Sequence, residues 1–193
     1  MPVTRLISAA AVLISNAGLP HQVIQRIEAK VDGSDSGVLA FSYTLIADMN
    51  QLLIPVAAAA RRVDGLWQHT CFEAFIGMKD GRGYYEFNFS PSRQWAAYRF
   101  RAYRDGGPLN GEAVAPDILV EQTADRLILA ATVRLDRLPM IQPGTSLRIG
   151  LAAVIETADG SLSYWALNHP ADKPDFHHPD SFALELALPG ESA

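Results

Sequence analysis

Apolar and polar positions alternate with period two along ten stretches of the chain: residues 23–31, 38–47, 70–78, 84–90, 94–103, 118–122, 126–134, 147–156, 162–168 and 181–188. Period two belongs to extended backbone, in which successive side chains point to opposite faces. Asp-Gly pairs begin at Asp32, Asp64, Asp80, Asp105 and Asp159, at the ends of these runs, and Asp-Gly between alternating segments is a strong hairpin signal. No amphipathic helix separates the runs, which argues against a parallel sheet with crossover helices. The pattern predicts an all-β fold, a single-domain antiparallel β-sandwich of jelly-roll-like character. It places an N-terminal arm or edge strand over residues 1–21 and the sandwich domain over 22–193.

The three consecutive strands 70–78, 84–90 and 94–103 carry the most information. One side-chain set is apolar: Phe72, Ala74 and Ile76, then Tyr85, Phe87 and Phe89, then Ala96, Tyr98 and Phe100. We assign this set to the core. The opposite set reads His69, Cys71 and Glu73, then Tyr84, Glu86 and Asn88, then Trp95, Arg99 and Arg101. Carboxylates, an amide, guanidiniums and an indole on one sheet face make a candidate binding surface. Trp165 alternates with Ser161 and Ser163, against Leu162, Tyr164 and Ala166, and is expected to project away from the core. Residues 168–179, a Pro- and His-bearing loop, are too irregular for sheet and are expected to close over that surface, with Asn168 and His177 as contacts. Residues 56–62, which follow Pro55 and contain four alanines, are read as a helical turn or a loop.

Composition narrows the function classes. At 193 residues, 49% hydrophobic and 19% charged, the chain is long enough for one substantial core. A net charge of −5 without a basic stripe argues against a nucleic-acid partner. No apolar run reaches the ~20 residues a membrane-spanning helix needs. The oligomeric state is left open. Cys71 is the only cysteine, which excludes an intrachain disulfide and a thiolate metal cluster and leans toward a reducing, cytoplasmic compartment. The alternative is periplasmic or secreted, if residues 1–17, with their short apolar segment and the small residues Ser15 and Ala17, act as a signal.

Several chemistries can be weighed on the same residues. His69 and Cys71 share a face, the minimum for a thiol beside a base, but a strand next to Glu73 is the wrong place for an activated thiolate. Cys71 therefore reads as a buried structural thiol. Glu73 and Glu86 on adjacent strands could approach as paired carboxylates do in glycoside hydrolysis, although Arg99 and Arg101 would then compete for them. The 168–180 loop holds His169, Asp175, His177, His178 and Asp180, yet no metal-binding spacing is present, and no metal is expected.

The run Leu66-Trp67-Gln68-His69-Thr70-Cys71-Phe72-Glu73-Ala74-Phe75-Ile76, with Tyr84-Tyr85-Glu86-Phe87-Asn88-Phe89-Ser90-Pro91, Trp95 and the terminal Asp175-Phe176-His177-His178-Pro179-Asp180-Ser181-Phe182, resembles the DOMON-like superfamily. The similarity is to its bacterial single-domain members and to family-nine carbohydrate-binding modules, and spans roughly residues 22–188. It implies a β-sandwich that holds a ligand and performs no chemistry, with sugars or haem as the ligands of the wider superfamily. The acidic pair that follows the Trp in the carbohydrate modules is here Gln68 and His69, so neither their calcium nor their sugar clamp is carried over. For haem, Met49, Met78, Met140 and the five histidines are the candidate axial ligands.

Residue pattern and resemblance together predict a non-catalytic module that binds a small polar ligand, foremost a sugar, through His69, Glu73, Glu86, Asn88, Trp95, Arg99, Trp165, Asn168 and His177. No cofactor is required, with haem as the alternative ligand. A structural or interaction domain without a small ligand is the further alternative.

Overall fold

The computed structural model describes residues 7–16, 23–34, 36–142, 144–170 and 173–187. Its regular structure is extended apart from short 3-10 turns. The strands are β1 (Ile7–Val12), β2 (Ile14–Ser15), β3 (Ile24–Gly33), β4 (Val38–Ala47), β5 (Cys71–Met78), β6 (Tyr84–Phe89) and β7 (Trp95–Ala102), followed by β8 (Asp105–Pro108), β9 (Asp117–Gln122), β10 (Arg126–Arg134), β11 (Ser146–Glu156), β12 (Leu162–Ala166) and β13 (Leu184–Ala187).

They form two sheets, one ordered β1-β3-β4-β10-β9 and the other β2-β12-β11-β5-β6-β7-β8, with β13 beside β12 along the same edge of β11. Every ladder is antiparallel. β4 and β10 are neighbours in the first sheet, and the strands that follow them, β5 and β11, are neighbours in the second. The paired chain thus folds across both layers, the jelly-roll-like feature predicted from the alternation. β1 and β2 belong to different sheets, and Leu13 between them turns inward to 2% exposure. The outer parts of the signal-like segment, 1–6 and 17, and the boundary at residue 22 lie outside the described residues.

The alternation has its expected consequence between the sheets. Phe41, Tyr43 and Leu45 of β4 meet Phe72, Ala74 and Ile76 of β5 and Tyr85, Phe87 and Phe89 of β6 in one apolar cluster. Ring contacts join the layers: Phe41 lies 5.9 Å from Phe89 and Tyr43 5.0 Å from Phe72. The Tyr43 hydroxyl crosses the interior to donate to the carbonyl of Glu73 at 2.8 Å. This bond satisfies a buried phenol that would otherwise oppose folding.

Two sequence expectations are corrected. Trp95 and Arg99 do not share a face with Glu73 and Glu86, because β7 pairs with β6 through Phe89↔Trp95, Phe87↔Ala97, Glu86↔Tyr98 and Asn88↔Ala96. Trp95 is a core residue at 2% exposure, whereas Ala96, Tyr98 and Phe100 occupy the other face. Trp165 also packs between the sheets at 5% exposure and does not project outward, since it faces Ala153 across the β11–β12 ladder. Residues 56–62 form a loop, one of the two forms expected, and Arg62 makes an isolated parallel bridge to Trp95. Strand β8 had no sequence signal, because Asp105-Gly-Gly-Pro108 lacks any apolar alternation.

The outer faces of the sheets differ. That of the first sheet is polar, with exposed pairs such as Arg26–Glu28 and Lys30–Asp32. That of the second is roofed by residues 173–182 and forms a second apolar cluster containing Leu66, Phe75, Tyr84, Tyr98, Phe176 and Phe182.

Candidate functional site

Within that roofed face lies a cavity of about 590 Å³. Its floor is Glu73 of β5, Glu86 of β6, Tyr98 and Phe100 of β7 and Val154 of β11. Trp67 and Gln68 wall one side, Leu162 and Tyr164 of β12 another, and Arg104 with 106–108 a third. Pro174, Phe176 and His177 reach over from the loop.

The wall at Trp67 is built locally. Gly65, at φ 78°, turns the chain into the 3-10 turn Leu66–Gln68, a conformation that costs a residue with a side chain more than it costs glycine. The turn lays the Trp67 ring edge-on to Tyr98, with centroids 5.9 Å apart, and leaves the indole 41% exposed. The Tyr98 hydroxyl donates to Asp64 Oδ1 at 2.6 Å, and the Arg62 guanidinium grips the same carboxylate through two bonds of 2.7 and 2.9 Å. Tyr98 is thereby fixed in place.

The roof is pinned through Tyr84. The Arg104 backbone N–H donates to the Tyr84 hydroxyl at 3.1 Å, and this hydroxyl lies 2.8 Å from His177 Nδ1. With the phenol proton directed at Nδ1, the ring keeps its own proton on Nε2, which faces Glu86 Oε2 at 3.6 Å. Burial pushes the His177 imidazole down to about 4, so the contact with Glu86 is not an ion pair near neutrality. Asp175 braces the loop from outside, bound by the Arg104 guanidinium at 2.8 Å and by the Tyr103 hydroxyl.

The carboxyls are the electrostatic centre. Glu86 is 6% exposed and accepts from Asn88 Nδ2 at 2.7 Å. Its carboxyl is nevertheless raised to about 7, because desolvation outweighs the lowering by Asn88 and Arg104. Glu73 is 4% exposed, and no described residue hydrogen-bonds its side chain. Burial, and then the charge of Glu86, push it well above the ordinary carboxylate range. Glu73 and Glu86 are diagonal neighbours on paired strands, since Glu73 faces Asn88 and Phe75 faces Glu86. Two such groups cannot both ionise cheaply, so the pair retains a proton on Glu73. Beside them on the same face Cys71 is fully buried, its thiol 3.7 Å from Asn88 Oδ1 and pushed well up by burial.

Of the nine residues expected at the site, three line the cavity: Glu73, Glu86 and His177. Asn88 sits behind Glu86 and orients it. His69 lies just before β5, where it is exposed and bonded to Glu156 at 2.8 Å, so it does not continue the Glu73 face. Asn168 braces the base of the roof through the Asp180 carbonyl at 3.2 Å and is not part of the lining. Trp95, Arg99 and Trp165 belong to the other face of the sheet. The guanidiniums expected to neutralise the glutamates do not reach them, and Arg101 pairs with Asp105 instead. The expectation missed Trp67, Tyr98, Tyr164, Arg104 and Phe176. Among the described residues no cluster of three or more His, Cys, Asp or Glu could hold a metal ion. The cavity lining offers one histidine and no methionine.

No family model and no curated protein matches this chain. Solved structures do. A Bacteroides uniformis protein, provisionally assigned carbohydrate binding, superposes with a TM-score of 0.61 at 11% identity over 80% of this chain and 75% of that one. A family-nine carbohydrate-binding module from Caldicellulosiruptor kristjanssonii, in complex with cellotriose, matches with a TM-score of 0.53 at 14% identity over 93% of this chain and 84% of its own. The same module with glucose gives a TM-score of 0.53 at 14% identity, with 93% and 86% coverage. At such identities the likeness is one of fold, and it agrees with the β-sandwich expected from the sequence.

Proposed function

We propose that this protein is a carbohydrate-binding module and that the cavity over Glu73 and Glu86 is its site. The observation that carries the reading is the composition of the cavity: aromatic side chains at its rim and buried carboxyl groups in its floor. Sugars present apolar C–H faces and directional hydroxyls, so an indole edge with fixed acceptors and donors is the surface that suits them. The Trp67–Tyr98 pair and Tyr164 supply the rings. Glu86, held by Asn88, accepts from hydroxyls, and Glu73, which keeps its proton, both donates and accepts. The structural neighbours, one of them bound to cellotriose and glucose, support the same reading at the level of fold.

The test is isothermal titration with cellotriose and a panel of related saccharides. Trp67→Ala and Glu86→Gln are expected to fold normally and to weaken binding about ten-fold each, the loss of one stacked ring or one charge-assisted hydrogen bond. A wild-type protein silent across the panel overturns the proposal.

One observation favours a second reading, glycoside hydrolysis: two buried carboxyls of unequal proton affinity, as an acid and its partner require. Both glutamates stand on the same floor, with Glu86 engaged by Asn88, which suits gripping one side of a ring better than flanking a scissile bond. Release of new reducing ends from a bound oligosaccharide, lost in Glu86→Gln, would decide for hydrolysis.

A further inference from the structure

Among the described residues, the least compensated group in the cavity is Glu73. Its carboxyl is 4% exposed, lines the cavity and receives no hydrogen bond from any described side chain or backbone group. Its oxygens are not among the fully buried orphan atoms of the described residues and keep their remaining access to the cavity, so whatever occupies the cavity supplies the partner. The surrounding charges narrow what that partner is. Glu86 lies diagonally across the ladder and has the same sign. The one cation in the lining, Arg104, is committed to Asp175 at 2.8 Å, and Arg62 beyond Tyr98 is committed to Asp64. His177 faces Glu86 and is uncharged near neutrality. From below, Tyr43 gives its hydroxyl to the Glu73 carbonyl and not to the carboxyl, and Cys71, beside Glu73 on the same face, is a buried thiol. The floor therefore presents two carboxyls with no free positive group facing them.

We infer that the preferred ligand is a saccharide bearing a primary ammonium group, a hexosamine unit, whose cation docks against Glu73 beside Glu86. The inference rests on the carbohydrate reading and narrows it. A neutral hydroxyl would bond to either carboxyl but leaves the like-charge problem unsolved. An ammonium offers three donors and one positive charge, enough to bridge both glutamates. Entry of the cation makes ionisation of Glu73 favourable, so the carboxyl releases its proton to the buffer as the ion pair forms. The ligand keeps its own proton and no covalent bond changes.

The experiment compares three β-1,4 trimers that differ at one position: the glucosamine trimer, its fully N-acetylated form, and cellotriose. Each is titrated into the 193-residue protein by calorimetry at pH 6, in two buffers of different ionisation enthalpy. The glucosamine trimer is expected to bind at least about ten-fold more tightly than the other two, the factor for a hydrogen bond to a charged group over a neutral one, and to release protons, with up to two available, one from each raised carboxyl. Cellotriose is expected to release none. Glu73→Gln is expected to bring the ratio of glucosamine-trimer to cellotriose affinity close to one. Cellotriose binding as tightly as the glucosamine trimer, or an amine preference that survives Glu73→Gln, overturns this inference and leaves the carbohydrate reading intact. Silence with all three trimers overturns both.

Discussion

The inner and outer faces of the second sheet are both buried, and they are buried differently. On the inner face Phe72, Ile76, Phe87 and Phe89 meet the opposite sheet in a continuous apolar layer, with the Tyr43 hydroxyl delivered to a backbone carbonyl. On the outer face, one residue further along the same strands, Glu73, Glu86 and Asn88 share space with Phe75, Tyr84 and Phe100 under a roof only one loop thick. The inner face is packed by another sheet whose shape is set by its own ladder, so every apolar group finds a partner. A loop cannot fill the outer face so completely. The result is a hollow, and the polar groups set in it remain available. Stability is concentrated on one side of β5 and β6 and recognition on the other, within 1 residue of sequence register.

The widest gap between the faces should come from Phe87→Ala. This inner ring is fully buried, and its removal is expected to cost about 3–5 kcal/mol in urea unfolding through lost transfer energy and a residual cavity. An outer-face change of comparable burial, Glu73→Gln, should act in the opposite direction. A carboxyl raised in the folded state binds more protons there than when unfolded. Stability then falls as pH rises from the ordinary carboxyl range near 4.5 through its folded value. His177, lowered to about 4, works the other way between 4 and its ordinary value of 6.5. Comparing Glu73→Gln with the wild type leaves that histidine contribution common to both. The variant is expected to match the wild type at pH 4 and to be the more stable of the two at pH 8, read as a higher Tm. A variant less stable than the wild type at pH 8 would show that the outer face depends on Glu73 for its structure. The smallest effect belongs to Arg99→Ala. Arg99 is exposed and points away from the cavity, so stability within about 0.5 kcal/mol of the wild type and unaltered saccharide titration are expected.

Loop-length parity explains which parts of this arrangement were legible in the sequence. Period-two alternation reported that β5, β6 and β7 are strands and that each has two distinct faces. It was silent on which face of β7 goes inward, because β5, β6 and the first half of β7 are buried on both sides. Aromatic content suggested Tyr98 and Phe100 for the core. The connection decides otherwise: the 5 residues 90–94 separate the paired Phe89 and Trp95, and an odd loop keeps odd positions opposite odd positions. Glu86 and Asn88 must then share a face with Ala96 and Tyr98. The same rule turns Trp165 inward, since the odd loop 157–161 places it opposite Ala153. Glu73 and Glu86 were found because period-two alternation put them on the polar side of adjacent strands, and His177 because a histidine on a Pro-rich loop is chemically conspicuous. Trp67 and Arg104 were missed because a 3-10 turn and a positive-φ residue at a hairpin bring them to the rim, and neither geometry leaves a periodic trace.

The single thiol beside Asn88 gives the molecule a built-in reporter. Cys71 has no exposed surface, and its thiol is held away from its reactive anion by burial and by the two acids beside it. Alkylating reagents can therefore reach it only while β5 is uncovered, which makes the pace of labelling a clock for excursions of this layer of the sandwich. An occupant lodged over the glutamates would slow that clock, with no fluorophore or engineered tag required.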